Sequence, residues 1–137
     1  MKQAYVAISL RKRPIMQAEI DAICDVLESE KIHPFIFVDR YHFTENDAVE
    51  MMQTAKKHMD ESDLLIAEVS HKAIGVGIEV GYMAAQRKRI IYLRRDGAEY
   101  STTVGGLADF DIVYRDAGNL QKQLQSLFEN HPLAQNE

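Results

Sequence analysis

The thirty residues from Ser62 to Ile91 leave this chain few ways to fold. An apolar run, Leu64 to Val69, is too short for an ordinary helix and stops in the polar turn Ser70 to Ala73. Gly75 and Gly77 follow, then a helical pattern carrying Glu79 and Gly81, then a second apolar run from Ile90 to Leu93. Strand, loop, helix and strand in that order form the βαβ unit of a parallel sheet. The chemistry of such a unit lies in the loop and the first helical turn, where glycines admit a ligand to the backbone and free N–H groups point outward. Glu79 is the acid expected there, in the first turn. Its charge near a helix N-terminus has a purely structural benefit of a few tenths to about 1 kcal/mol. The three glycines around it have no such explanation, because a helix-interior glycine costs about 1 kcal/mol relative to alanine. The spacing G-x-G-x-x-x-G differs by one residue from the dinucleotide fingerprint G-x-G-x-x-G, although Asp96 sits just past the next strand, as a ribose-binding acid would.

The remainder of the sequence repeats the alternation. Ala4 to Ile8 is a strand rich in β-formers, followed by the loop Ser9 to Arg13. Pro14 suits the opening turn of a helix. That helix carries Met16, Ile20, Ile23 and Leu27 on one face. Cys24 lies beside the stripe and reads as a buried, inert thiol. Pro34 to Val38 is the expected second strand, and Asp39 to Asn46 a polar and aromatic connection. Asp47 to Glu61 is a helix with Ala48, Met51, Met52, Ala55 and Met59 on its apolar face, the methionines read as core filling. After Leu93, Asp96 to Gly106 is expected to be a long loop, Asp111 to Tyr114 a fifth strand, Leu120 to Phe128 a terminal helix, and His131 to Glu137 a frayed tail.

Five strands separated by helices, without hairpin signals, predict an α/β fold: a flavodoxin-like, doubly wound, five-stranded parallel sheet of order 2-1-3-4-5 in a single domain spanning residues 1–137. In that order ligands bind beyond the carboxyl ends of the first and third strands. Tyr5, Ser9 and Arg11 would therefore face the Gly75/Gly77 loop and Glu79 across one crevice. A carboxylate beside a tyrosine, a hydroxyl and cationic groups suited to phosphate has the parts for covalent chemistry at a sugar carbon. Arg11-Lys12-Arg13 reads equally well as a solvated charge run, and Ser9 as a turn residue.

The formal charge of −5 gives no reason to expect nucleic-acid polymers or anionic membranes as partners. A single cysteine excludes an internal disulfide framework, and no Cys/His spacing suggests a zinc site, so a reducing compartment fits best. No metal and no cofactor are expected. With no apolar stretch near 18 residues and no signal-peptide pattern, the expected location is the cytoplasm.

These residues also resemble a known family. Glu68-Val69 followed by Gly75-Val76-Gly77-Ile78-Glu79-Val80-Gly81-Tyr82, together with Tyr5-Val6-Ala7-Ile8-Ser9-Leu10-Arg11, is similar to the nucleoside 2-deoxyribosyltransferases, above all to their 2′-deoxynucleoside 5′-phosphate N-hydrolase branch. Ser101 precedes Gly105-Gly106 much as a family serine does. The resemblance implies cleavage of the N-glycosidic bond of a (2′-deoxy)nucleoside or its 5′-monophosphate through a covalent glycosyl-Glu79 intermediate, resolved by water or a second base. It implies Tyr5 as support for Glu79, and Ser9, Leu10, Arg11, Gly75, Gly77 and Ser101 as substrate-binding residues. It also implies a homodimer or larger homo-oligomer, with the Asp96 to Gly106 loop near a neighbour's site. The dipole of the Glu79 helix would keep the carboxylate ionised.

Two positions depart from the family pattern. An ungapped count places Ala55 where the family has an aspartate that assists the leaving base, and Ala73 stands where it has a phosphate-loop serine. Asp47 is eight residues from Ala55, about 12 Å along a helix, and is no simple substitute. His71 is another candidate acid. A nucleotide-binding or signalling module that kept the pocket without turnover stands as the alternative, favoured by Ala55 and Ala73. A dinucleotide-dependent enzyme is a third reading, disfavoured by the glycine spacing.

Overall fold

The computed structural model describes residues 1–133. Five strands, β1 (Lys2–Ile8), β2 (Ile32–Ile36), β3 (Leu64–Glu68), β4 (Arg89–Arg95) and β5 (Phe110–Tyr114), form one parallel sheet of order 2-1-3-4-5. Helices α1 (Gln17–Ser29) and α6 (Ala117–Asn130) cover one face; α3 (Ala48–Asp60), α4 (Ile74–Ala85) and α5 (Thr102–Leu107) cover the other. Every residue of β3 is buried, as expected of a central strand roofed on both sides.

Strand alternation then divides the core in two. Val6 and Ile8 pack with Ile23, Leu27, Leu120 and Phe128, whereas Tyr5 and Ala7 pack with Ala55, Met59, Val76 and Val80. Tyr5 therefore points toward α4 because of its parity on β1. Its register partner on β3 is Leu65, while Ile8 pairs with Glu68 at the carboxyl end.

Four local expectations need correction. The second strand is Ile32–Ile36, and Phe37–Arg40 is a short helix, α2. Pro34 lies inside β2, which is an edge strand and so has one side where a missing donor costs no ladder bond. The expected loop Asp96 to Gly106 contains the start of α5, whose N-terminus is capped by Ser101 Oγ accepting from Val104 N at 3.3 Å. Val104 is buried, and a Cβ on Gly105 would overlap the Tyr100 ring, so the glycine lets that ring cover the helix. Gly75 and Gly77 lie inside α4, leaving Ser70 to Ala73 as the loop. Finally, Arg89 Nη1 donates to the carbonyl of His131 at 2.6 Å and Leu133 packs on the core, so the tail is held at least that far. Residues 134–137 of the expected frayed tail lie outside the described residues.

Beneath the carboxyl ends of β3 and β5, Glu68 accepts from Tyr114 Oη at 2.5 Å, Ser70 Oγ at 2.6 Å and Ser70 N at 2.9 Å. Three donors satisfy a carboxylate that is only 1% exposed. Among the described residues no helix is long and apolar enough to cross a membrane.

Candidate active site

A cavity of about 590 Å³ opens beyond the carboxyl ends of β1 and β3, where the strand order reverses. Glu79 reaches it from α4, and the hydroxyl of wholly buried Tyr5 donates a hydrogen bond to Glu79 Oε2. Ser9 lines the cavity where β1 ends. Its buried Oγ also accepts from Lys12 N at 3.3 Å, so it is both turn residue and wall. Leu10 and exposed Arg11 stand at the mouth, and Gly75 lies opposite in the first turn of α4. Of the expected basic run, Arg13 is held elsewhere, in a two-pronged ion pair with Asp39 at 2.8 and 2.9 Å.

Glu79 sits in the second turn of α4, one turn deeper than expected, because the helix begins at Ile74. The macrodipole acts mainly within the first turn. Burial dominates instead and pushes the Glu79 carboxyl up to about 7, opposed by the Tyr5 hydrogen bond, which favours the ionised form. The helix dipole therefore does not keep this group ionised at all pH. The Tyr5 phenol is driven far above its ordinary value by burial first, then by the Glu79 charge and their hydrogen bond. It remains a proton-bearing donor throughout the accessible pH range.

Gly77 and Ser101 lie outside this cavity. They line a neighbouring depression of about 400 Å³ between α4 and α5; Lys72, Ala73 and Ile74 border both spaces. His71 is not among the cavity-lining residues, whereas Lys72 is. The opposite wall was not read from the sequence. It consists largely of Phe37, Tyr41, Phe43, Met51 and Met52, beside Ala55. Only Met59 of the α3 methionines is fully buried; Met51 and Met52 face the cavity, correcting their reading as core filling. The aromatic content of the Asp39 to Asn46 connection was the available signal. Phe37 bridges the rings, its centroid 6.3 Å from Tyr5 and 5.1 Å from Tyr41.

The arrangement joins an apolar, aromatic wall suited to a flat base, a carboxylate held by a phenol, and a hydroxyl and guanidinium at the mouth. A stretch of 71 residues is 38% identical to the 5-hydroxymethyl-dUMP N-hydrolase of Branchiostoma floridae, covering 50% of this chain and 68% of that protein. The human protein of the same name is 33% identical over 82 residues, covering 56% of this chain and 47% of the relative. In fold, the chain is similar to the CMP N-glycosidase BcmB of Clostridium botulinum (TM-score 0.68, 20% identity, 90% of this chain and 98% of that one). It is likewise similar to a 2-desoxiribosyltransferase from Leishmania mexicana (TM-score 0.67, 18% identity, 97% and 100% covered). The sequence profile of the family described as Nucleoside 2-deoxyribosyltransferase matches residues 4–134, nearly the whole length over which Tyr5, the cavity and Glu79 are assembled, and the chain belongs to that family.

Proposed function

We propose that this protein cleaves the N-glycosidic bond of a (2′-deoxy)nucleoside or its 5′-monophosphate, with Glu79 as the nucleophile. The observation that carries the reading is the Tyr5–Glu79 hydrogen bond at the cavity that opens at the strand-order reversal. A Glu79 oxygen attacks C1′, the C1′–N bond breaks, and its electron pair leaves with the base. The transition state resembles an oxocarbenium ion, as in retaining glycosidases. Water then attacks C1′ of the glycosyl ester, freeing Glu79 and the sugar; a second base attacking there makes the reaction a transfer. Tyr5 supplies a fixed donor that partly offsets the desolvation of the carboxylate. Ser9 and Arg11 would meet the 5′ end, where a guanidinium suits a phosphate. Gly77 and Ser101 would reach substrate only from another chain's side of the depression, which fits a homo-oligomer.

The test is to incubate the protein with nucleosides and their 5′-monophosphates, with and without an acceptor base, and to follow base release by chromatography. Release that Glu79→Gln abolishes supports the mechanism. Release untouched by that change rules it out. Ala55 in the cavity wall favours a second reading, a nucleotide-binding module without turnover, which predicts saturable binding and no base release.

A further inference from the structure

Departure of the base places negative charge on it, and in the reading of the site just given something must receive that charge. The wall formed by residues 37–55 is apolar apart from one group. Among the described residues lining it, Tyr41 alone carries a polar side-chain atom, between Phe37 and Phe43 in a wall that also includes Ala55. The Tyr41 hydroxyl lies 2.7 Å from His58 Nε2. His58 is three residues beyond Ala55 on α3, so both project from the same side of the helix. Its ring is stacked on Phe35 at 4.1 Å between centroids and is held against Tyr41 at 5.6 Å. The phenol is thus anchored beside the position where a longer side chain at residue 55 would enter the cavity.

We infer that Tyr41 is the hydrogen-bond donor to the departing base and that His58 is the positioning residue that turns its proton into the cavity. His58 Nδ1 is 3.8 Å from Glu61 Oε1, too far for a hydrogen bond, so Glu61 does not claim the ring proton for Nδ1. With the proton on Nε2, the ring donates to the Tyr41 oxygen, leaving the phenolic O–H directed at the base. As C1′–N breaks, the electron pair passes to the base and Tyr41 O–H shares its proton with the charged atom. No net proton leaves the tyrosine, and the base takes one from water after it departs. The geometry therefore selects N-glycosides whose base tolerates negative charge. A base that leaves as a neutral molecule from a pyridinium glycoside needs no donor.

This proposal rests on the N-glycosidase reading, and two substrates of the same sugar phosphate separate the two claims. One is deoxyuridine 5′-monophosphate; the other carries nicotinamide as a pyridinium leaving group. kcat/KM is measured on both for wild type, Tyr41→Phe and His58→Gln. The expected result is a loss of tenfold or more on the uracil substrate and less than twofold on the pyridinium substrate for Tyr41→Phe, with a smaller loss of the same sense for His58→Gln. A structural role alone would slow both substrates equally, and that outcome, or no slowing of either, overturns the proposal while Glu79-dependent release still supports the N-glycosidase reading. If Tyr41→Phe does not fold, the His58→Gln ratio decides by the same criterion. Absence of release from both substrates by wild type overturns the reading of the site and this proposal with it.

Discussion

The phenol of Tyr5 and the carboxylate of Glu79, 74 positions apart in the chain, are hydrogen-bonded to one another at the point where the sheet reverses its order. Neither group could hold this state alone. The buried phenol needs an acceptor, and the carboxylate in its desolvated setting needs a donor. Glu79→Gln is expected to abolish base release, since an amide cannot form the glycosyl ester, while substrate binding and the circular dichroism spectrum persist. Tyr5→Phe removes one donor and should cost roughly two- to tenfold in kcat/KM, in line with about 0.5–1.5 kcal/mol for a hydrogen bond. Complete loss of activity in both variants together with loss of the native circular dichroism spectrum would mean that the pair serves the fold.

The raised carboxyl of Glu79 predicts two pH dependences. Only its ionised form attacks C1′, so kcat/KM on an uncharged nucleoside should climb about tenfold per pH unit below about 7 and level off above it. Stability runs the other way. A group raised from 4.5 to about 7 favours folding in its protonated form, and that contribution is complete below 4.5 and is lost as pH rises through 7. The wild-type protein at pH 8 thus carries a cost on the order of 3 kcal/mol that Glu79→Gln lacks. Thermal melts should show the variant gaining on wild type between pH 5 and pH 8; a gap that does not widen would contradict the buried, raised carboxyl.

Ala55→Asp tests what the apolar wall lacks. The new carboxyl would enter beside Tyr41 and offer a proton to the base, so release of poor leaving groups should rise several-fold while pyridinium substrates change little. Because Ala55 is 2% exposed, the variant should also lose stability, by about 1–3 kcal/mol. A rate unchanged on every substrate would mean that position 55 does not face the base.

What could be read beforehand, and what could not, follows from the range of each signal. Parallel strands buried on both faces leave long apolar runs, so Leu64 to Val69 and Ile90 to Leu93 announced themselves and the strand order came with them. The switch-point rule placed Tyr5 at the crevice, and the family resemblance tied it to Glu79. Helix starts were harder. Ala73 is extended and Ile74 is helical, so Gly75 and Gly77 belong to α4 although glycine reads as loop, and Glu79 moved from the first turn to the second. Gly105 and Gly106 hid α5 in the same way, despite a serine cap. Tyr41, Met51 and Met52 were beyond reach for another reason. Whether an apolar side chain fills a core or lines a cavity depends on how α2 and α3 are placed over the sheet, and no periodicity carries that.

The glycines of α4 carry the last prediction. The sequence suggested that something approaches all three closely, yet a Cβ built on Gly75, Gly77 or Gly81 meets nothing within 4 Å. Alanine at each should therefore strengthen the helix by up to about 1 kcal/mol, seen as a rise of roughly 3–5 °C in Tm. Function should separate the positions that stability does not. Gly81 is two residues beyond Glu79 and so about 200° around the helix, facing away from the cavity; Gly81→Ala should leave kcat and KM within twofold. Gly75 lines the cavity itself, and its new methyl group would occupy space beside the sugar, so Gly75→Ala should raise KM several-fold with kcat little changed. Gly77 faces the Ser101 depression, and Gly77→Ala should affect turnover only if another chain completes the site there. Melting curves and steady-state kinetics on the three variants check this. A KM unchanged in Gly75→Ala would show that the substrate does not lie against the first turn of α4, and the cavity would lose its claim to be the substrate's seat.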